Sequence, residues 1–168
     1  MSEAITQLLR NQGNRVTRMT KPTEVFDGIF VTGEIPRGNA FENTGGDFFL
    51  DAACLQPDPL PDDQALFFDT AEGSVVLFGC AHAGVVNTLD YVQGLTGGKP
   101  VRAIVGGLHL GKASPERLDK TLAAVRRFNI QQLAPGHCTG SGANGELCAA
   151  FPSRCWSCSV GLRMQFER

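Results

Sequence analysis

SVVLFGCAHAGVVNTLDYVQG (Ser74–Gly94) is the stretch whose reading decides the fold. SVVLFG (Ser74–Gly79) is a short apolar run rich in Val, the pattern of a buried strand. From about Gly84 to Gly94 the apolar positions Val85, Val86, Leu89 and Val92 recur at spacings of three and four, which predicts an amphipathic helix. The glycines and proline of TGGKP break that helix. VRAIVGG (Val101–Gly107) then reads as the next strand. Ser114-Pro115 is a helix start, with Ser as N-cap and Pro at the first helical position. Leu118, Leu122 and Val125 form the stripe this helix is expected to bury. A last strand falls at Ile130–Ala134. The order β-α-β-α-β predicts parallel neighbours joined by right-handed crossovers.

Upstream, GIFVTGEI (Gly28–Ile35), DFFLDAACL (Asp47–Leu55) and QALFFDT (Gln64–Thr70) read as strands. The Pro/Asp loop QPDPLPDD (Gln56–Asp63) does not fit inside a sheet. Residues 1–24 form a polar segment with a short helix at Glu3–Arg10, and residues 25–168 form the folded domain. The basic side chains Arg10, Arg15, Arg18 and Lys21 are a phosphate-contact candidate or simply a solvated face. The C-terminal tail is expected to end in an edge strand.

Composition narrows the function. Of 168 residues, 15 are Lys or Arg and 17 are Asp or Glu, a net charge of −2 that argues against a nucleic-acid partner. At 42% hydrophobic and 19% charged, the chain can bury a core. No apolar run approaches the roughly 20 residues that span a bilayer, and no export signal is visible, so a cytoplasmic protein is expected. The six cysteines are therefore expected to be reduced thiols.

The three histidines carry the sharpest signal. His82, His109 and His137 each lie just past the carboxyl end of one strand of the βαβαβ run, in GCAHAG, GGLHLG and PGHCTG. Ligands of open α/β sheets bind at such ends. Three imidazoles with one open position suit a divalent metal, zinc first, with iron or manganese as alternatives. Such a metal acidifies water near neutral pH. Against this stands the reading that each His packs or caps a turn. Asp62 and Asp63 are candidates for an oxygen ligand or a general base, or for a solvated loop. Cys80 and Cys138 neighbour two of the histidines and either face the site beside the ligands or fill space, with packing the expected role. Cys155 and Cys158 form a lone C-x-x-C, a weak signal for zinc or redox chemistry.

TGEIPR, PDDQALFF, GCAHAGVVNTL, IVGGLHL and APGHCTG, in this order, resemble the metallo-β-lactamase superfamily. They are most similar to its branch of dihydropterin-ribofuranosylaminobenzene-phosphate-synthase-related hydrolases. The resemblance runs from about Val25 onward and implies an α/β layered fold, the C-terminal half of an αββα sandwich. It implies that His82 and His137 are metal ligands, with His109 where a bridging aspartate is usual. The superfamily's upstream His-x-His-x-Asp-His motif has no counterpart, as no His precedes His82.

The resemblance therefore implies a metal-dependent hydrolase acting on a small phosphoester or pterin-related phosphorylated substrate, incomplete alone. Its alternatives are a non-catalytic half-domain completing a partner's metal site and a dihydropterin alkyl transferase. A sheet without its packing partner exposes an apolar patch, so a homo-oligomer or an N-terminal half-domain partner is expected.

Overall fold

The structure, a computed structural model, describes residues 3–13, 16–43 and 48–167. Its centre is a six-stranded sheet in sequential order: β1 (Thr23–Phe26), β2 (Ile29–Val31), β3 (Ala65–Thr70), β4 (Gly73–Phe78), β5 (Val101–Gly107) and β6 (Gln132–Gly136). The first four strands are antiparallel neighbours, and β4, β5 and β6 are parallel. Helix α1 (Glu3–Asn11) precedes the sheet. Helices α2 (Val85–Leu95) and α3 (Pro115–Arg127) are the two crossovers, and α4 (Ser141–Ala150) follows β6. The βαβαβ run is therefore present as expected.

Alternation within the strands sends one set of side chains to the helical side. Ala65, Phe67, Val76, Phe78, Ile104 and Leu133 bury there against Val85, Leu89 and Val92 of α2, Val125 of α3 and Leu147 of α4. Register puts Val76 beside Ile104 and Ile104 beside Leu133, so the apolar rows line up across three strands. All four apolar positions expected for α2 are buried. In α3 the buried stripe is Arg117, Thr121, Ala124 and Val125, with Leu118 and Leu122 only half-covered at its edge. Ser114 caps α3 as expected, its hydroxyl accepting from the Arg117 N–H at 3.2 Å.

The other sheet face is covered by the chain end. Leu162, Met164 and Phe166 lie over Phe68, Val75, Leu77 and Val105, leaving a cavity of about 290 Å³ between them. Phe166 meets Phe68 edge-on at 6.0 Å between ring centroids. Leu66 on this face stays 37% exposed, and Val160 and Trp156 are also exposed.

Four expectations need correction. The strand expected over Gly28–Ile35 is only Ile29–Val31, and its hairpin partner Thr23–Phe26 lies partly in the segment read as a polar connector. No strand forms in the described part of Asp47–Leu55. Asp51 instead folds its own loop, its carboxylate accepting the N–H groups of Ala53, Leu55 and Gln56, and one isolated bridge joins Phe49 to Pro57. The last strand sits two residues later than read, at Gln132–Gly136. The tail edge strand shrinks to a single bridge of Leu133 with Cys155, and α4 occupies the segment before it. Gly142 and Gly145 disguise α4 as a turn; Ala143 and Leu147 anchor it by burial.

Candidate metal centre

The carboxyl ends of β4, β5 and β6 meet at one sheet edge, and each is followed by a residue in the left-handed region: Ala81 (φ 57°), His109 (φ 50°) and His137 (φ 51°). Non-glycine residues pay on the order of 1 kcal/mol or more for this conformation, so surrounding contacts must enforce it. For the β4 loop those contacts come from upstream. Arg37 donates through Nη1 to the His82 carbonyl at 2.8 Å and through Nη2 to the Pro59 carbonyl. Asp63 Oδ2 accepts the Ala83 N–H at 2.8 Å.

Helix α2 begins directly after this loop with Gly84 at its N-cap, which has no side chain to offer. Glu42 substitutes. Its Oε1 accepts from the Val86 N–H at 2.8 Å and its Oε2 from the Asn87 N–H at 2.9 Å. Gly84 has φ 103°, and a side chain there would run into the Glu42 carboxylate. A buried carboxylate at a helix N-terminus satisfies orphan donors and opposes the positive end of the macrodipole.

A cleft of about 640 Å³ opens at this edge, lined by Asp62, Asp63, Cys80, His82 and His137 among others. The His82 and His109 rings lie 4.3 Å apart between centroids, and Phe48 flanks His82 at 5.2 Å. His82 Nδ1 is buried and has no hydrogen-bond partner among the described residues. His137 shares the cleft wall with His82. The three histidines thus collect at one edge. The donor atoms that gather within 4.8 Å of one another, however, belong to Cys80, His109 and Cys138, the one such group of His, Cys, Asp and Glu among the described residues. Cys80 Sγ is 2.9 Å from Cys138 Sγ and 3.5 Å from His109 Nδ1. Of the two roles open to these cysteines, their convergence favours facing the site. Burial, then the neighbouring Cys138, push the Cys80 thiol up to about 12. An orphaned imidazole nitrogen beside a nitrogen-and-sulfur donor cluster fits a divalent ion of the zinc type.

The C-x-x-C pair behaves differently. Cys155 neighbours Cys148, and burial followed by that thiol raises Cys155 to about 12, the opposite of an activated redox thiol. All six cysteines are free. Arg117 is 3% exposed and donates to the Asn43 carbonyl at 3.1 Å. Burial lowers its pKa, while the Glu42 carboxylate works against that shift.

A mixed sheet backed by helices, with histidines on the loops after its parallel strands, gives the chain a fold like that of the metallo-β-lactamase superfamily. A crystal structure described as a metal-dependent hydrolase of the β-lactamase superfamily superposes with a TM-score of 0.76 at 28% identity, over 91% of this chain and 58% of that one. In sequence the chain is similar to the 7,8-dihydropterin-6-methyl-4-(β-D-ribofuranosyl)-aminobenzene-5'-phosphate synthase of Methanocaldococcus jannaschii. The two are 28% identical over 155 residues, 90% of this chain and 53% of the relative. An uncharacterised protein of the same organism is 29% identical over 129 residues, 76% of this chain and 46% of that protein. The chain thus spans about half the length of the curated relatives it matches. No protein-family profile matches it. No helix among the described residues is long and apolar enough to cross a membrane.

Proposed function

We propose that this chain contributes to a metal-dependent hydrolase site that acts on a phosphoester or a pterin-related phosphorylated substrate. The observation that carries the reading is the buried Nδ1 of His82, without a hydrogen-bond partner among the described residues and set in a cleft shared with His137 and two aspartates. In this reading His82 and His137 hold a divalent ion, zinc first, and the His109 ring lies against His82 at 4.3 Å between centroids. When bound, such an ion supplies Lewis acidity and lowers the pKa of water. The chain's own residues do the positioning. Arg37, Asp63 and Glu42 pin the loop and helix start that carry His82. Asp62 faces the cleft and is the candidate to accept a proton from the attacking water.

Joining a dihydropterin to a ribofuranosyl-aminobenzene phosphate, the product in the relative's name, is the alternative reaction. Both reactions place a phosphorylated substrate in the cleft. We further propose that a second copy or an N-terminal half-domain partner supplies remaining ligands, and that the domain boundary expected at residue 25 moves back to Thr23, where β1 joins the sheet.

The test is phosphodiester hydrolysis by the full chain with zinc, iron or manganese, alone and with an added N-terminal half of the related synthase. The proposal expects metal-dependent turnover, strongest on mixing, and its loss in His82→Ala and His137→Ala. Turnover unaffected by either substitution would refute it.

A further inference from the structure

We propose that Cys80, His109 and Cys138 form a metal site of their own, a two-thiolate, one-imidazole set that takes a zinc-like ion. The inference needs neither His82 nor His137 as ligands and goes beyond the hydrolase reading.

The argument is geometric first. The three donor atoms lie within 4.8 Å of one another. Zinc bonds of about 2.3 Å to sulfur and about 2.05 Å to nitrogen, at a tetrahedral angle, put sulfur and nitrogen about 3.6 Å apart and two sulfurs about 3.8 Å apart. The Cys80 Sγ to His109 Nδ1 distance of 3.5 Å already matches the first edge. The sulfurs, at 2.9 Å, need to part by just under about 1 Å to match the second.

The surrounding backbone holds this arrangement in place. His109 donates its N–H to Cys138 Sγ at 3.3 Å, which ties the β5 loop to the β6 loop. Cys138 Sγ lies 3.3 Å from the Cys80 carbonyl, which ties β6 to β4. Each donor therefore comes from a different strand end, and the three loops are cross-linked at the sulfurs. Gly107 makes the space. A Cβ there would stand 2.8 Å from Cys138 Sγ, 3.1 Å from His137 Cδ2 and 2.6 Å from the Gly79 carbonyl oxygen. The residue beneath the cluster has to be glycine for the second sulfur to fit.

The chemistry follows from the donors. Two thiolates and a neutral imidazole neutralise one divalent cation, and sulfur donors favour zinc over magnesium or calcium. Binding transfers one proton from each thiol to solvent as the two metal–sulfur bonds form. Three protein ligands leave a fourth position, as in zinc sites that keep one for water or substrate. Cys80 also lines the cleft, so this ion would sit in the cleft wall.

The reduced full chain, titrated anaerobically with Co(II) alone and then with Zn(II), tests this. Thiolate-to-cobalt charge-transfer absorption should rise to a plateau, reached at about one cobalt per chain in His82→Ala/His137→Ala, and collapse when zinc displaces it. It should vanish in Cys80→Ser and Cys138→Ser, survive in Cys148→Ser/Cys155→Ser, and survive in His82→Ala/His137→Ala. If a serine variant fails to fold by circular dichroism, wild-type protein still decides: zinc should shield two thiols from a thiol reagent. Cobalt binding without charge-transfer absorption would overturn the inference, as would absorption that persists in both serine variants. A Cys80–Cys138 disulfide in reduced preparations that take up no metal would overturn it too. Loss of the signal in His82→Ala/His137→Ala alone would show that the sulfurs do not form a separate site. The hydrolase reading fails separately, through turnover that ignores His82 and His137.

Discussion

Glu42→Ala is the most informative perturbation of the scaffold. Glu42 is 4% exposed, and its carboxylate accepts the Val86 and Asn87 N–H groups at 2.8 and 2.9 Å and the Asn39 amide at 2.9 Å. Truncation leaves two helix donors without this acceptor, at about 1–3 kcal/mol for each that stays dry. It removes a partly buried charge from the helix N-terminus, worth up to about 2 kcal/mol. It also takes away the acidic neighbour of buried Arg117. Water entering the vacated space recovers part of this, so the expected loss is about 3 kcal/mol. In a domain of this size that lowers Tm by about 6–12 °C. Glu42→Gln keeps one acceptor oxygen and should lose about half as much. Urea denaturation of wild type and both variants measures the difference. Glu116→Ala is the control: that acid also sits in a first helical turn but is exposed and paired with Lys120, so its loss should be far smaller. A Glu42→Ala loss no larger than that of Glu116→Ala would refute the capping argument.

Gly107→Ala should destabilise the fold by about 1–3 kcal/mol through overpacking, and should reduce metal uptake because it pushes on Cys138 and His137. Denaturation and elemental analysis of the same preparation check both effects. Burial raises the Asp69 carboxyl, but Lys99 and Ser74 outweigh it and hold the group below its usual value. A depressed folded pKa gives stability that is present above the usual carboxylate range and lost as pH falls through the folded value. The pair is well exposed, so the loss should be only a few tenths of a kcal/mol, roughly. Asp69→Asn should remove that part of the acid dependence in denaturation midpoints compared at pH 7 and pH 3. Leu66, Val160 and Trp156 lie exposed around the tail-covered sheet face and chain end. Self-association is expected there, and sedimentation velocity should show it weakening in Leu66→Ser; a wild-type monomer at all concentrations would count against it.

Much of the fold was legible because the βαβαβ run is locally consistent: Val-rich strands, a 3.6-residue period in α2 and a Ser-Pro start for α3 all agree with the tertiary structure. The histidines were legible for the same reason, since the strand ends that carry them could be placed. What stayed hidden depends on contacts distant in sequence. Glu42 caps α2 from 44 residues upstream, and no pattern around Gly84 announces it. Cys80 and Cys138 are 58 residues apart, and only the meeting of two loops makes them a pair. The upstream strands were misjudged because DFFLDAACL is short, apolar and aromatic like a strand, while the Asp51 carboxylate offers its backbone a local alternative. Arg117 at an apolar position of α3 rotated the expected stripe, because Glu42 and Asn43 lie where that side chain buries.

Metal content per chain tests the central claim most directly. Wild type and His82→Ala/His137→Ala should be incubated with zinc, desalted and analysed by elemental mass spectrometry. The account predicts bound zinc in wild type and about one equivalent less in the double variant. A wild type that stays metal-free, or a double variant that keeps the full wild-type complement, would contradict it.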